Sequence, residues 1–208
     1  MPEARTGPAC WLFAKLLAWG NEAYEVQVDA RKRPLFAPLR GTVLEIGPGT
    51  GVNLKYLDPA VRWIGIEPNV HMHPYLRAEA ERLGRTAEVH PGLASRLDVP
   101  DGSVDAVIST LVLCSVRSQA ETLREILRVL RPGGTFAFIE HVAAPAGSRL
   151  HRLQRVIRPC WRWAVDGCHP DRDTASALKA AGFSEVEYDR FRLRVPVVAP
   201  HIAGTAVK

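Results

Sequence analysis

A chain of 208 residues is long enough for one α/β domain with a sizeable core and too short for two ordinary ones. Its 47% apolar and 24% charged residues exclude a mainly disordered chain. The formal charge of +5 is spread along the chain and not gathered in one run, which speaks against nucleic acid as a partner.

The first apolar stretch, Trp11 to Trp19, is interrupted by Lys15. It is about half the roughly 20 residues that a bilayer span needs, and no small-residue cleavage site follows it. A cytoplasmic protein is therefore expected. Cys10, Cys114, Cys160 and Cys168 contain no C-x-x-C spacing, so neither a zinc knuckle nor a disulfide framework is signalled, and no metal is expected.

Thr42 to Ile46 reads as a buried strand, and it runs into Glu45-Ile46-Gly47-Pro48-Gly49-Thr50-Gly51 and a helix expected through Leu57. Glycines at such a turn reach positive φ and let a ligand approach the backbone. The spacing is G-x-G-x-G, not the G-x-G-x-x-G that seats a dinucleotide pyrophosphate. Glu45 adds a negative charge that suits a ligand carrying an ammonium and a sulfonium, which favours S-adenosylmethionine over NAD.

A second strand, Trp63 to Glu67, places Glu67 twenty residues after Gly47, where a carboxylate accepts hydrogen bonds from both ribose hydroxyls. Asn69 is a helix cap for the segment to Leu83, with Gly84 as its stop. His71 and His73 are two apart on that helix, do not converge on a metal, and are expected at the surface.

Val104 to Thr110 and Thr135 to Glu140 are further strands, separated by a helix capped by Ser118 and ended at Pro132-Gly133-Gly134. Ser148 to Ala164 is a basic amphipathic helix, with Leu150, Leu153, Ile157 and Trp161 on one stripe. Trp161 and Trp163 are read as packing residues, not an aromatic cage. A helix from Thr174 to Ala181 precedes strand-like runs at Glu185 to Phe191 and His201 to Val207. Alternating strands and helices imply a parallel sheet covered on both faces, with its ligand beyond the carboxyl ends of the strands.

From Glu45 to Glu140 the chain resembles the class I S-adenosylmethionine-dependent methyltransferases, with Asp101-Gly102-Ser103-Val104-Asp105 before the fourth strand and Leu130-Arg131-Pro132-Gly133-Gly134 before the fifth. A narrower resemblance rests on Thr110 to Val116, Ile139 to Ala144, Asp166-Gly167-Cys168 and Pro200-His201-Ile202. These are similar to the small methyltransferase-like proteins whose animal members methylate alkyl thiols and attach to membranes by an amino-terminal segment.

The resemblance implies a Rossmann-like doubly wound seven-stranded sheet, mostly parallel with an antiparallel edge strand. Residues 41–208 form the methyltransferase domain and residues 1–40 an amino-terminal helical lid. S-adenosylmethionine is the expected donor and S-adenosylhomocysteine the product. Donor contacts are expected from Glu45, Gly47, Gly49, Thr50, Gly51, Asn53, Glu67, Pro68, Asn69, Leu93, Ala94, Thr110 and Leu111. The wider class carries an acid for the adenine amino group where Leu93 stands, so adenine is left to apolar contact with a backbone carbonyl, or to Ser95 or Asp98.

Methyl transfer is an in-line displacement, so the protein must align the nucleophile and exclude water. His141 and Asp166 are the candidate catalytic residues, and Trp11, Cys114, His141, Asp166 and His169 the candidate acceptor pocket. Cys114 is alternatively a small buried hydrophobe, His141 a structural hydrogen-bonding group and Asp166 a helix cap. The expected acceptor is a small thiol; an O-, N- or C-methyltransferase on a lipid-like or aromatic molecule is the alternative, and a non-catalytic donor-binding module a remote one. Trp11, Leu12, Leu16 and Trp19, with the basic helix, are expected to cover the acceptor and either to touch a membrane surface or only to pack on the domain. Deleting residues 1 to 20 is then expected to impair acceptor use and spare the donor.

Overall fold

The computed structural model describes residues 4–20 and 22–208. Seven strands form one sheet: β1 (Thr42–Ile46), β2 (Arg62–Ile66), β3 (Glu88–His90), β4 (Val104–Thr110), β5 (Leu130–His141), β6 (Glu185–Arg192) and β7 (Pro200–Val207). Their order is β3-β2-β1-β4-β5-β7-β6. The first five run parallel, and β7 is antiparallel to both β5 and β6. The Rossmann-like reading holds, with the carboxy-terminal pair closing one edge.

The period-2 alternation of the strands feeds two cores. Leu44, Ile46, Val107 and Phe136 pack on one face with Leu123 and Ile126 of α4 (Gln119–Val129) and Leu178 of α6 (Thr174–Ala180). Val43, Ala106, Ile108 and Ala137 pack on the other with Phe36 of α2 (Glu22–Phe36) and Leu76 and Ala80 of α3 (His73–Arg82). Strands buried on both faces need near-continuous apolar sequence, which β1 carries at Val43-Leu44 and Ile46 and β4 at Ala106-Val107-Ile108. The order in which successive strands are laid down reverses between the parallel neighbours β1 and β4, and the cleft at their carboxyl ends is where an open α/β sheet binds its ligand.

The amino-terminal segment divides. Helix α1 (Pro8–Gly20) buries only Ala14 and carries Trp11, Leu12, Leu16 and Trp19 exposed. Helix α2 packs against β5 and β7, burying Val28, Phe36 and a Glu25–Lys32 ion pair of 2.7 Å. It belongs to the helix layer of the sheet, so residue 40 marks no packing boundary.

Three local expectations change. The helix expected through Leu57 is a single 3-10 turn, Leu54–Tyr56. Gly51 at φ +83° and Asp58-Pro59 leave too few residues between them for an α-helix. Asn69 forms an Asx turn to the His71 N–H (3.1 Å), and α3 starts only at His73, with Pro74 in its first turn. His73 is buried, its Nε2 on the Glu67 carbonyl (3.0 Å), and does not lie on the surface as expected.

Helix α5 (Arg149–Ala164) is capped by Ser148, whose side chain accepts from the His151 N–H. Its one buried side chain is Gln154, which accepts from the Ala144 N–H (2.8 Å) and donates to the Val197 carbonyl (2.9 Å). Trp163 is 88% exposed and lies outside the core.

Candidate active site

A cavity of about 870 Å³ opens at the carboxyl ends of β1, β2, β4 and β5, within the usual size of a small-molecule site. Its floor begins at the glycine turn. Gly47 and Gly49 sit at φ +56° and +57°. A Cβ on Gly47 would stand 2.6 Å from a Val112 methyl, whereas one on Gly49 meets only Leu17, at 3.4 Å. The first glycine is required by packing; the second keeps the cavity wall bare.

Glu67 lies at the tip of β2 with both oxygens held by backbone donors, Oε1 by the Asn69 N–H (2.8 Å) and Oε2 by the Gly49 N–H (3.0 Å). Each oxygen keeps a free lone pair for a ribose hydroxyl. Burial pushes the carboxyl up to about 7, against those two N–H groups. Thr50, Asn53, Pro68, Asn69, Leu93, Ala94, Thr110 and Leu111 also line the cavity, and Ser95 joins Leu93 and Ala94 in the loop after β3; Asp98 does not line it. Leu111, at φ +58°, is a strained turn directly after β4.

Two expected donor contacts lie elsewhere. Glu45 is buried beneath the turn, outside the cavity lining, with Oε1 accepting from Asn53 Nδ2 (2.7 Å) and Oε2 from Trp63 Nε1 (2.9 Å). It holds Asn53, which lines the wall and also donates Nδ2 to Thr110 Oγ1 (3.1 Å), while the Asn53 Oδ1 is buried without a partner. Gly51 faces Leu54 and Leu76, and its absence of a side chain serves packing. A bare glycine turn, a ribose acid and the polar Asn53 in the wall fit S-adenosylmethionine.

The far end of the cavity is largely apolar, lined by Phe13 and Leu17 of α1, Trp161 and Val165, and Val195 and Val198. Trp11 does not reach it. It is 47% exposed on the outer side of α1, and the helical phase presents Phe13 and Leu17 in its place.

Asp166 lines the cavity, but Arg5 takes both of its oxygens, Nη1 to Oδ2 at 2.9 Å and Nη2 to Oδ1. The pair fixes the carboxylate in the wall, and each oxygen keeps one lone pair toward the cavity that it lines. His169 donates its backbone N–H to the Cys114 carbonyl (2.9 Å) and places Nδ1 on the same oxygen (3.2 Å).

His141, at the end of β5, is 3% exposed and so lies deep in the site, not at its mouth. Its Nε2 is 3.0 Å from Cys168 Sγ and its Nδ1 has no partner. Trp161 donates Nε1–H to the same sulfur (3.3 Å). The Cys114 thiol beside it, then His141 and Trp161, push the Cys168 thiol down, while Cys114 moves well up. Glu140, also buried, holds the loop after β4 by accepting from Ser109 Oγ (2.6 Å) and the Val112 N–H (3.1 Å).

Arg5, Tyr24, Cys168 and His201 line the cavity without having been singled out as site residues. Cys168 and His201 stand in segments that carry the family resemblance, the one available signal. Arg5 and Tyr24 belong to no motif and arrive through tertiary packing.

A family model described as a methyltransferase domain matches residues 44–138. The chain is 40% identical over 198 residues to the human thiol S-methyltransferase TMT1A, covering 89% of this chain and 81% of that one. It is 38% identical over 219 aligned residues to human TMT1B, covering 96% and 89%. The solved [4+2]-cyclase SpnF superposes with a TM-score of 0.73 at 18% identity, covering 100% of this chain and 99% of that one, a likeness of fold alone. With the donor cradle intact and the similarity running far beyond residues 44–138, the chain belongs to the S-adenosylmethionine-dependent methyltransferases, in the family of the human thiol S-methyltransferases.

Proposed function

We propose that this enzyme transfers the methyl group of S-adenosylmethionine to the sulfur of a small, largely apolar thiol. The observation that carries the reading is the extent of the likeness to the human thiol S-methyltransferases, which takes in 96% of the chain for TMT1B and so includes the acceptor end. Bound S-adenosylmethionine supplies an electrophilic methyl on a cationic sulfur. Glu67 and the turn at Gly47 to Thr50 hold the donor; Phe13, Leu17, Val195 and Val198 exclude water from the acceptor. The nucleophile is the thiolate, so the polar groups at the buried end, His141 among them, serve to hold it deprotonated.

The test is label transfer from donor to a panel of alkanethiols, phenols and amines of matched size. Thioether formation on the thiols is expected. Label on the phenols or amines with none on the thiols would overturn the assignment.

We propose further that α1 and α5 rest on a membrane surface. Both leave large apolar side chains in solvent: Leu16 and Trp19 on α1, Val156 and Trp163 on α5, with Arg149, Arg152 and Arg155 on the same α5 helix. No helix among the described residues is long and apolar enough to cross a membrane, and the contact proposed is peripheral. Salt-sensitive sedimentation with anionic vesicles, reduced in a Trp19→Ser/Trp163→Ser variant, is expected. Equal sedimentation of wild type and variant would contradict it.

A further inference from the structure

Three soft ligand atoms converge in the acceptor wall. Cys114 comes from the loop after β4, His141 from the end of β5 and Cys168 from the loop after α5. All three residues are buried, and their Sγ and imidazole nitrogen atoms lie within 4.8 Å of one another. Nothing in donor binding uses them, and each lines the cavity.

The donor set selects a class of ion. It contains no carboxylate: the neighbouring Glu140 turns Oε1 to Ser109 and the Val112 N–H, and neither of its oxygens belongs to the cluster. Two thiolates and an imidazole suit a borderline-soft dication and not magnesium or calcium. With metal–sulfur bonds of about 2.3 Å and metal–nitrogen bonds of about 2.0 Å, tetrahedral angles set sulfur and nitrogen about 3.5 Å apart. The 3.0 Å contact of His141 with Cys168 then opens by roughly half an ångström, within the reach of small side-chain rotations. The Trp161 indole already donates to Cys168, the outer contact that a metal thiolate takes.

Three protein ligands leave one tetrahedral position, and the cavity is the space beside all three. We propose that Cys114, His141 and Cys168 bind zinc, and that the open position takes the acceptor thiolate. The second half rests on the thiol reading given above. On coordination the acceptor S–H bond breaks, its proton passes to water, and a metal–sulfur bond forms. That sulfur then forms a bond to the methyl carbon as the methyl–sulfonium bond breaks, its electron pair remaining on the sulfur of S-adenosylhomocysteine. The neutral thioether is a poor ligand and leaves.

The experiment is cobalt(II) titration of the full chain, purified under reducing conditions without a chelating tag. One equivalent is expected to give the sulfur-to-cobalt charge-transfer band and intense visible bands of a tetrahedral thiolate site. Cys168→Ser is expected to lose the band and more than about 100-fold in cobalt affinity, and Trp161→Phe to lose about 10-fold, both with unchanged affinity for S-adenosylhomocysteine as proof of folding. A short alkanethiol is expected to intensify the wild-type band. No charge-transfer band in the wild type, or one retained in Cys168→Ser, overturns the site. A band that the alkanethiol leaves unchanged, while metal-free protein methylates that thiol, overturns the coordination role and leaves the thiol reading standing. If no form methylates a thiol, the thiol reading and the coordination role fail together, and the spectra alone decide the site.

Discussion

Arg5 and Asp166, 161 residues apart in the chain, form a two-pronged ion pair in the wall of the cavity. The Arg5 backbone also bonds to Pro68 and Val70, just past the ribose acid. The amino-terminal segment is therefore a strap fixed on both sides of the donor site. Asp166→Asn removes the charged half of one fixing. For a part-exposed pair this is worth about 0.5–1 kcal/mol, so S-adenosylhomocysteine should dissociate two- to fivefold faster in a stopped-flow displacement. An unchanged off-rate would show that the strap does not retain the donor.

Leu17 stands over Gly49, and Asn69 Nδ2 donates to the Cys10 carbonyl (3.0 Å), so α1 covers donor and acceptor alike. Deleting residues 1–20 should raise KM for an apolar acceptor and weaken donor binding as well, which revises the expectation that the donor is spared. Calorimetry with S-adenosylhomocysteine on the truncated protein checks this. Wild-type affinity there would separate α1 from the donor site.

Glu67 makes the donor site sensitive to pH. Its folded value of about 7 lies above the ordinary 4.5. Folding stability from this group is thus fully present below about 4.5 and is lost as pH rises to about 7, by roughly 3 kcal/mol at 1.36 kcal/mol per unit. Donor affinity runs the other way, because the ribose hydroxyls donate to the ionised form. Affinity for S-adenosylhomocysteine should rise up to tenfold per unit toward pH 7 and level off above it. Glu67→Gln should flatten both profiles and weaken binding by roughly 1.5–3 kcal/mol. A pH-independent wild type would contradict the ribose assignment.

Two glycines of one turn should fail differently. Gly47→Ala drives a methyl into Val112 at a left-handed residue, for a loss of about 2–5 kcal/mol read as a lowered Tm. Gly49→Ala pays only the backbone term of about 1–2 kcal/mol, and should lose at least tenfold in donor affinity while the far-ultraviolet circular dichroism is kept. Equal thermal losses in the two variants would contradict this division of roles.

Much of this was legible in the sequence because strands buried on both faces must be written as apolar runs, and Thr42 to Ile46 and Val104 to Thr110 are such runs. The short β3 carries Glu88 and His90 at a sheet edge, where no such run is imposed, and it escaped notice. The donor half of the site is local, with Gly47, Gly49 and Glu67 set by one strand-turn-strand unit, and it could be placed from spacing. The acceptor half is not. Cys114, His141 and Cys168 are separated by 27 residues at each step and meet only through the sheet and the loop after α5. The phase of α1 is set outside its own sequence for a similar reason. Trp11 and Phe13 are both aromatic, and only docking on the site decides which of them turns inward.

The most direct test of the account is kcat/KM for an alkanethiol against the alcohol of the same carbon skeleton, with S-adenosylmethionine saturating. Shape and apolar contact are then constant, and only the acceptor atom differs. Efficient thioether formation with the thiol, and methyl ether formation lower by at least about a thousandfold, is the expected result. Comparable rates with both, or transfer to the alcohol alone, would contradict an enzyme built for sulfur.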